Sequence, residues 1–358
     1  MENLQKFFKN KKILITGHTG FKGSWLTQIL LNWGAKVSGV ALKPNTKPSL
    51  FQILRLEKKI RNNFCDIRDF NKISEIIKRE KPEIVFHLAA QPLVRDSYDN
   101  PLYTFETNIM GTANILQVIK EIDTVRAAVI ITTDKVYKNK ESGRPFKEDD
   151  KLGGYDPYSA SKAAAEIVID SYIKSFFSPE NYKCNHSTLL ASARSGNVLG
   201  GGDWSKDRIA TDIVRAIFEK NEEIIIRNPQ AIRPWLYVLE PLHGYLLLAK
   251  KLYSGKKEFV GSWNFGPKEG NYLTVEQLTK TAIKILGQGS YKIKPDSKKH
   301  EAMLLKLNNN KAKKLLGWKP KLQIDEILEN TFTWYKSFYN GEDMIKLTNN
   351  QITSFYNK

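Results

Sequence analysis

Lys11-Lys12-Ile13-Leu14-Ile15-Thr16-Gly17-His18-Thr19-Gly20-Phe21-Lys22-Gly23 is the stretch that decides the fold. Its short apolar run, closed by Gly17, suits a strand buried on both faces of a parallel sheet. The three glycines that follow are spaced Gly-x-x-Gly-x-x-Gly, and Trp25, Leu26, Ile29 and Leu30 then recur with the period of a helix carrying a one-sided apolar stripe. A glycine-rich strand-to-helix turn lets backbone approach an anion and aims the helix's first amides at it. The same spacing also suits an ordinary tight turn; its place after the first strand of an α/β alternation favours a dinucleotide.

Outward from this unit the alternation continues. Lys36–Leu42 reads as a second strand, a third ends near Cys65-Asp66, and Phe70–Lys78 reads as a helix. Glu83–Leu88 reads as a strand, Tyr98–Ile122 as one long helix, Ala127–Thr132 as a strand, Tyr158–Ser175 as a helix and Ser187–Ala193 as a strand. Such alternation implies right-handed crossovers and a parallel sheet covered on both faces. Past Gly196 the texture becomes irregular, with Gly200-Gly201-Gly202-Asp203-Trp204 and interspersed prolines. The expected fold class is α/β: a Rossmann-type doubly wound parallel sheet with a smaller, mixed C-terminal substrate domain. The expected boundaries are 1–193 for the dinucleotide-binding domain, with roughly 230–258 returning to it, and 194–229 plus 259–358 for the substrate domain.

With 358 residues, 41% hydrophobic and 26% charged, the composition is that of an ordinary globular chain. No apolar window approaches the ~18 residues of a membrane span, and Met1–Lys6 lacks the apolar core of a secretion signal. A soluble, cytoplasmic protein without membrane partners is expected. Cys65 and Cys184 are too few and too far apart for a disulfide framework or a cysteine zinc site, and no metal is expected. The net charge of +18 raises the question of a polyanionic partner. It is carried by 44 lysines and 12 arginines, with no arginine beyond Arg233. Proteins that read grooves and fork phosphates lean on arginine. The lysine excess therefore reads as solvated surface, and no nucleic-acid partner is expected. Ten lysines crowd Lys292–Lys321, where Leu304, Leu305, Leu307, Leu315, Leu316 and Trp318 argue for folded elements with a wet basic face.

Several positions suit a dinucleotide beside Gly17, Thr19, Gly20, Phe21, Lys22 and Gly23. Asp66-Ile67, at the end of the third strand, offers a carboxylate and an amide to adenine, or alternatively caps a helix. Leu88-Ala89-Ala90-Gln91 is small enough for backbone to pass beside the cofactor, and Asn108 and Thr132 are further expected contacts. Val40-Ala41-Leu42-Lys43 supplies no acid for a free ribose 2′-hydroxyl, so NAD and NADP are not distinguished by this loop. Tyr158-Ser159-Ala160-Ser161-Lys162 places a phenol and an ammonium four residues apart on one helix face. A nearby cation favours phenolate, fitting Tyr158 to take a proton from a hydroxyl as hydride leaves. Thr133 stands at the end of the preceding strand, in Ile131-Thr132-Thr133-Asp134-Lys135-Val136-Tyr137.

The glycine loop, the Thr-Thr-Asp segment and Tyr-x-x-x-Lys together resemble the extended short-chain dehydrogenase/reductase family. Gly17–Leu26, Thr132–Tyr137, Gly196–Trp204 and Ile232-Arg233-Pro234-Trp235 are similar to its nucleotide-sugar 4,6-dehydratases, and specifically to the branch acting on CDP-glucose. The resemblance implies NAD as cofactor, reduced and restored within one turnover, and a CDP-sugar as substrate. It implies that Tyr158, Lys162 and Thr133 serve the 4-hydroxyl and that Asp134 protonates the departing 6-hydroxyl. Dehydratases of the dTDP-glucose type carry Glu as the base at the next position; here it is Lys135. That lysine is expected either to take the carbon 5 proton, which needs a pKa well below ~10.4, or to contact a diphosphate. The resemblance further implies substrate contacts at Asn197, Arg208 and Arg233, and at His300 near the base or ribose. Arg194, Arg215 and Arg227 are expected to serve helices or solvent. A 4-epimerase would share the cofactor site but needs no acid at position 134, and a silent cofactor-binding regulator would not need the Tyr158, Lys162 and Thr133 set. Dimerisation through the helices near Tyr98–Ile122 and Tyr158–Ser175 is implied, with a tetramer open.

Overall fold

The computed structural model describes residues 2–139, 143–294 and 305–358. The first half alternates as expected: α1 (Glu2–Phe8), β1 (Lys12–Thr16), α2 (Phe21–Asn32), β2 (Lys36–Ala41), α3 (Leu50–Ile53), β3 (Arg61–Phe64), α4 (Phe70–Glu80) and β4 (Ile84–His87). Then come α5 (Val94–Asp99), α6 (Pro101–Phe105), α7 (Gly111–Lys120), β5 (Ala127–Ile131), α8 (Pro157–Phe176) and β6 (Leu189–Ser195). The remainder holds β7 (Asn197–Leu199), α9 (Ile209–Val214), β8 (Ile224–Ile226), β9 (Ile232–Tyr237), α10 (Leu239–Tyr253) and β10 (Gly261–Phe265). It closes with β11 (Tyr272–Thr274), α11 (Val275–Leu286), β12 (Tyr291–Ile293), α12 (Ile324–Tyr339) and α13 (Met344–Asn357).

Seven strands form one sheet in the order β10-β6-β5-β4-β1-β2-β3, with every neighbouring pair parallel. Successive strand residues feed two separate cores. Ile13, Ile15, Ile84, Phe86 and Val129 face one with α2 and α10, while Leu14, Val85, Ala128 and Ile130 face the other with α4, α7 and α8. This period of two, apolar on both sides, makes the sheet doubly wound. The order reverses between β1 and β4, which opens a crevice at their carboxyl ends. A three-stranded sheet, β11-β9-β7, and a two-stranded one, β12-β8, build the smaller lobe.

Some elements differ from expectation. The long helix over 98–122 is broken: Asn100 ends α5, Pro101 opens α6, and a π-helical turn spans Glu106–Met110 before α7. Proline lacks the amide a continuing helix would use and clashes with the carbonyl four residues back. α2 carries no one-sided stripe: Gly23–Leu30 is buried throughout, because Gln28 reaches Asn349 of α13 and Trp25 reaches the carbonyl of Gly201. The chain returns to the main sheet through α10, within the 230–258 expected, and through β10 just beyond it, whereas β9 joins the small sheet. In the lysine-rich stretch Leu316 and Trp318 are buried and Leu315 is exposed; Leu304 and His300 lie outside the described residues. No helix among the described residues is long and apolar enough to cross a membrane.

Candidate active site

The glycine loop closes on its neighbours at backbone distance. Gly17 has φ +74°, and a Cβ there would lie 2.7 Å from the Ala89 nitrogen; at Gly23 it would lie 2.1 Å from the Gly17 carbonyl oxygen. The first turn of α2 thus stands directly behind the loop, its free amides open to an anion, and β4's end crosses in front. The cradle fits the diphosphate of a dinucleotide. Thr19 Oγ1 donates to the Leu42 carbonyl at 2.9 Å and ties the loop to the end of β2. His18 turns inward: its ring fills the gap left by Gly39, where a Cβ would lie 2.4 Å from it, its Nε2 lies 2.6 Å from Asn62 Oδ1, and burial lowers its pKa.

At the adenine end Asp66 is engaged by Arg68, whose Nε and Nη2 donate to Oδ2 at 3.0 and 2.8 Å and whose backbone amide donates to Oδ1 at 2.9 Å. These bonds outweigh burial and lower the carboxyl's pKa. Ile67 packs into the space left by Gly111. Beyond β4, Leu88, Ala89 and Ala90 run past the loop, and Gln91 donates to Thr104 Oγ1 at 2.8 Å. Asn108, in the π-helical turn, spends both amide protons on the Gln91 carbonyl and Ser161 Oγ, at 3.1 and 2.8 Å. It joins the loop to the Tyr158 helix, so its amide protons are committed to the protein. Thr132 likewise commits its hydroxyl to the protein, donating to Glu166 Oε1.

Tyr158 and Lys162 open α8, whose start is fixed by Asp156 accepting from the Ser159 amide at 2.9 Å, with Pro157 at the first helical position. Both side chains are buried, and Lys162 Nζ donates to the Ile131 carbonyl at 3.1 Å. Burial pulls Lys162 down to about 8, with the negative charge of Glu166 resisting. The sequence reading expected a cation to lower Tyr158. Here burial raises it on balance; a hydrogen bond with Thr133 and the charge of Arg208 act downward. Desolvation of a phenolate outweighs its partners in this structure.

Thr133 caps the short 3₁₀ turn Asp134–Val136 and donates to Asp134 Oδ1 at 3.1 Å. Asp134 is buried against Gly196, where a Cβ would lie 2.6 Å from Oδ2. Burial raises its pKa despite Lys135, Thr133, Lys22 and Arg233 pulling down. A carboxyl so placed keeps its proton to higher pH, as a general acid requires. Lys135 beside it is half-buried. Arg208 is exposed at the rim, 3.4 Å from the Pro92 carbonyl, and its charge reaches both Tyr158 and Lys22; that of Arg233, on β9, reaches Asp134. Asn197, pairing with Trp235 across β7 and β9, completes the small-lobe wall. The structure therefore gathers Thr133, Asp134, Lys135, Tyr158, Lys162, Arg208 and Arg233 around one crevice.

Two features escaped the sequence reading. Lys22, expected at the cofactor, donates to Ser195 Oγ at 3.0 Å, and Ser195 in turn lies 2.9 Å from the Tyr245 hydroxyl; burial, Arg208 and Lys162 hold Lys22 at about 8. Arg194, expected at a helix or solvent, is buried in β6 and paired with Glu166 at 2.8 Å. The signal for that pair is a charged residue one turn after Lys162, directly after the run Ala163-Ala164-Ala165 and before the apolar Ile167-Val168. Arg215 pairs with Glu219, and Arg227 with Asp207 and Asp212.

Sheet order, glycine cradle and a buried Tyr-x-x-x-Lys on the helix after β5 define the extended short-chain dehydrogenase/reductase class. The chain belongs to the GDP-mannose 4,6 dehydratase family, whose model matches residues 14–331. It is 46% identical over 352 residues to the CDP-glucose 4,6-dehydratase of Salmonella typhimurium, covering 98% of each chain. Among solved structures, an epimerase of Methanothermobacter thermautotrophicus superposes with a TM-score of 0.79 at 21% identity, covering 94% of this chain and 96% of its own. A dTDP-glucose 4,6-dehydratase of Streptomyces venezuelae, solved with NAD bound, gives 0.77 at 22% identity over 93% and 99%.

Proposed function

We propose that the protein is an NAD-dependent CDP-glucose 4,6-dehydratase, releasing water and forming CDP-4-keto-6-deoxy-D-glucose. The observation that carries the dehydratase reading is Asp134, a buried carboxyl with a raised pKa beside Thr133 and within reach of the Tyr158 site. An epimerase has no use for an acid there. The similarity to the Salmonella enzyme supports CDP-glucose as the substrate.

Bound NAD supplies the hydride acceptor and donor. Gly17, Gly20 and Gly23 with the first amides of α2 hold its diphosphate, Asp66 and Ile67 its adenine, and Lys162 its nicotinamide ribose. Tyr158 takes the proton of the sugar 4-hydroxyl, with Thr133 orienting that hydroxyl. The carbon 4 ketone acidifies the hydrogen on carbon 5, which Lys135 removes as Asp134 protonates the departing 6-hydroxyl. Arg208 and Arg233 hold the two negative charges of the substrate diphosphate. Exposed Leu102, Met110 and Ile167 lie on and between α6, α7 and α8 and support a homodimer through these helices; Ile167→Asp is expected to give monomers by light scattering.

Pure protein incubated with CDP-glucose and NAD is expected to yield a product lighter by one water. No loss of water from CDP-glucose, dTDP-glucose or GDP-mannose would overturn the dehydratase reading.

A further inference from the structure

Lys162 and Glu166 stand one helical turn apart on the buried face of α8. Glu166 is saturated: Oε1 accepts from Thr132 Oγ1 at 2.5 Å and Arg194 Nε at 2.9 Å, and Oε2 from Ser192 Oγ at 2.7 Å and Arg194 Nη2 at 2.8 Å. Arg194 is saturated as well. Its Nη1 donates to the Tyr137 hydroxyl at 2.7 Å and the Glu148 carbonyl at 2.9 Å, and Nη2 also reaches Ser262 Oγ at 2.9 Å. The guanidinium lies 5.0 Å from the centre of the Tyr137 ring, and the Tyr137 hydroxyl donates to Asn264 Oδ1 at 2.7 Å.

The placement of these bonds is informative. Thr132 and Tyr137 bracket the turn that carries Thr133, Asp134 and Lys135. Glu166 sits on the helix that carries Tyr158 and Lys162. Ser192 and Arg194 belong to β6, and Ser262 and Asn264 to β10. One planar fork therefore joins the proton-transfer helix to the acid and base turn through the sheet. A bidentate, fully hydrogen-bonded pair fixes direction as well as distance, which a packed apolar pair cannot do.

We propose that the Glu166–Arg194 fork is the positioning element that holds Tyr158 and Lys162 in register with Thr133, Asp134 and Lys135. Neither residue touches the substrate crevice; both act through Lys162 and the 133–135 turn. The proposal rests on the dehydratase reading, because only that reaction needs both groups of residues on one bound sugar. Replacing a buried ion pair by apolar residues is often neutral for stability, so the four hydrogen bonds of geometry are what selection on activity would retain.

Two variants test it. Glu166→Gln keeps the shape and removes the charge; Arg194→Lys keeps the charge and removes the fork. Each is read by NAD content, melting, kcat and KM for CDP-glucose, and the pH profile of kcat, with the wild-type protein assayed alongside. Both are expected to lower kcat by about tenfold or more with KM within about twofold, since a small misplacement of reacting groups is costly. Only Glu166→Gln is expected to move to lower pH the limb set by Lys162, which is distinct from the limb that Asp134→Asn erases, because Lys162 then loses the nearby anion that favours its ammonium form. Should the Gln variant fail to fold, the Lys variant is judged alone on kcat. Folded variants with kcat within about twofold of wild type and an unmoved profile would overturn the proposal. A wild-type protein that removes no water would instead overturn the function assigned above.

Discussion

Asp134 and Lys135 are adjacent in sequence yet stand in different surroundings, one buried and the other half-buried. Burial keeps Asp134 protonated to a higher pH than an ordinary aspartate. As the acid, it works below that raised pKa, so kcat falls as pH rises through it; Asp134→Asn is expected to erase this limb. The same variant is expected to lose ~10²- to 10⁴-fold in turnover while reduced nicotinamide accumulates on the enzyme, which its absorbance reports. Lys135→Ala is expected to leave the first hydride transfer intact and to abolish exchange of the carbon 5 hydrogen with solvent deuterium. Normal exchange in that variant would remove Lys135 as the base, and a raised KM in its place would assign it to the diphosphate. These residue types are legible in the sequence Thr132–Tyr137 itself. The upward shift of Tyr158 is not, since it depends on how completely the fold excludes water from the phenol.

At the scale of elements, the glycine loop makes a sharper demand than its spacing alone shows. A Cβ on Gly23 would overlap the Gly17 carbonyl at 2.1 Å, a backbone neighbour that cannot swing aside. Gly23→Ala is expected to purify with little bound NAD and to lose about 1–3 kcal/mol of binding or stability, as overpacked cores do; NAD content of the purified protein and its melting temperature check this. Helix α8 was readable almost to the residue, because Asp156-Pro157 is a strong start signal and Tyr-x-x-x-Lys marks its first turns. The 98–122 segment was not, because its apolar period runs unbroken across Pro101 and the π-helical turn, and only the tertiary contacts of Asn108 reveal the break. α2 misled in another way: its outer face is covered by α13, more than 300 residues later in the chain, and local periodicity carries no trace of such a partner.

Over the whole molecule, two enclosed histidines contribute to the response to acid. His87 lies between Thr16 Oγ1 at 2.7 Å and Thr112 Oγ1 at 3.1 Å, and burial first, then Lys162, lowers it to about 3. His243, half-buried against α13, is also held at about 3. An unfolded imidazole titrates near 6.5, so the stability these neutral rings confer is complete above that pH and is lost as pH falls towards 3. The slope is at most about 1.4 kcal/mol per pH unit for each ring, with His87, the more buried, carrying the larger share. Melting temperature is expected to drop steadily between pH 6.5 and 4.5, and His243→Phe to flatten that drop; a flat wild-type profile would contradict the assignment. The +18 charge, by contrast, belongs largely to the surface: among the described residues Lys162 is the only buried lysine, Lys22 and Lys135 are half-buried, and most of the others are exposed.

The parallel pairing of β6 with β10 also bears on how the chain comes to be folded. About 65 residues, most of them in the smaller lobe, separate the two strands. Until β10 docks, Leu189–Ser195 is a bare strand edge that invites pairing with other chains. At ~5–20 residues per second of synthesis, that edge stays open on the ribosome for roughly 3–13 s. A fragment cut after β6, made in the hope of isolating a minimal dinucleotide-binding unit, keeps the edge open permanently and is expected to aggregate.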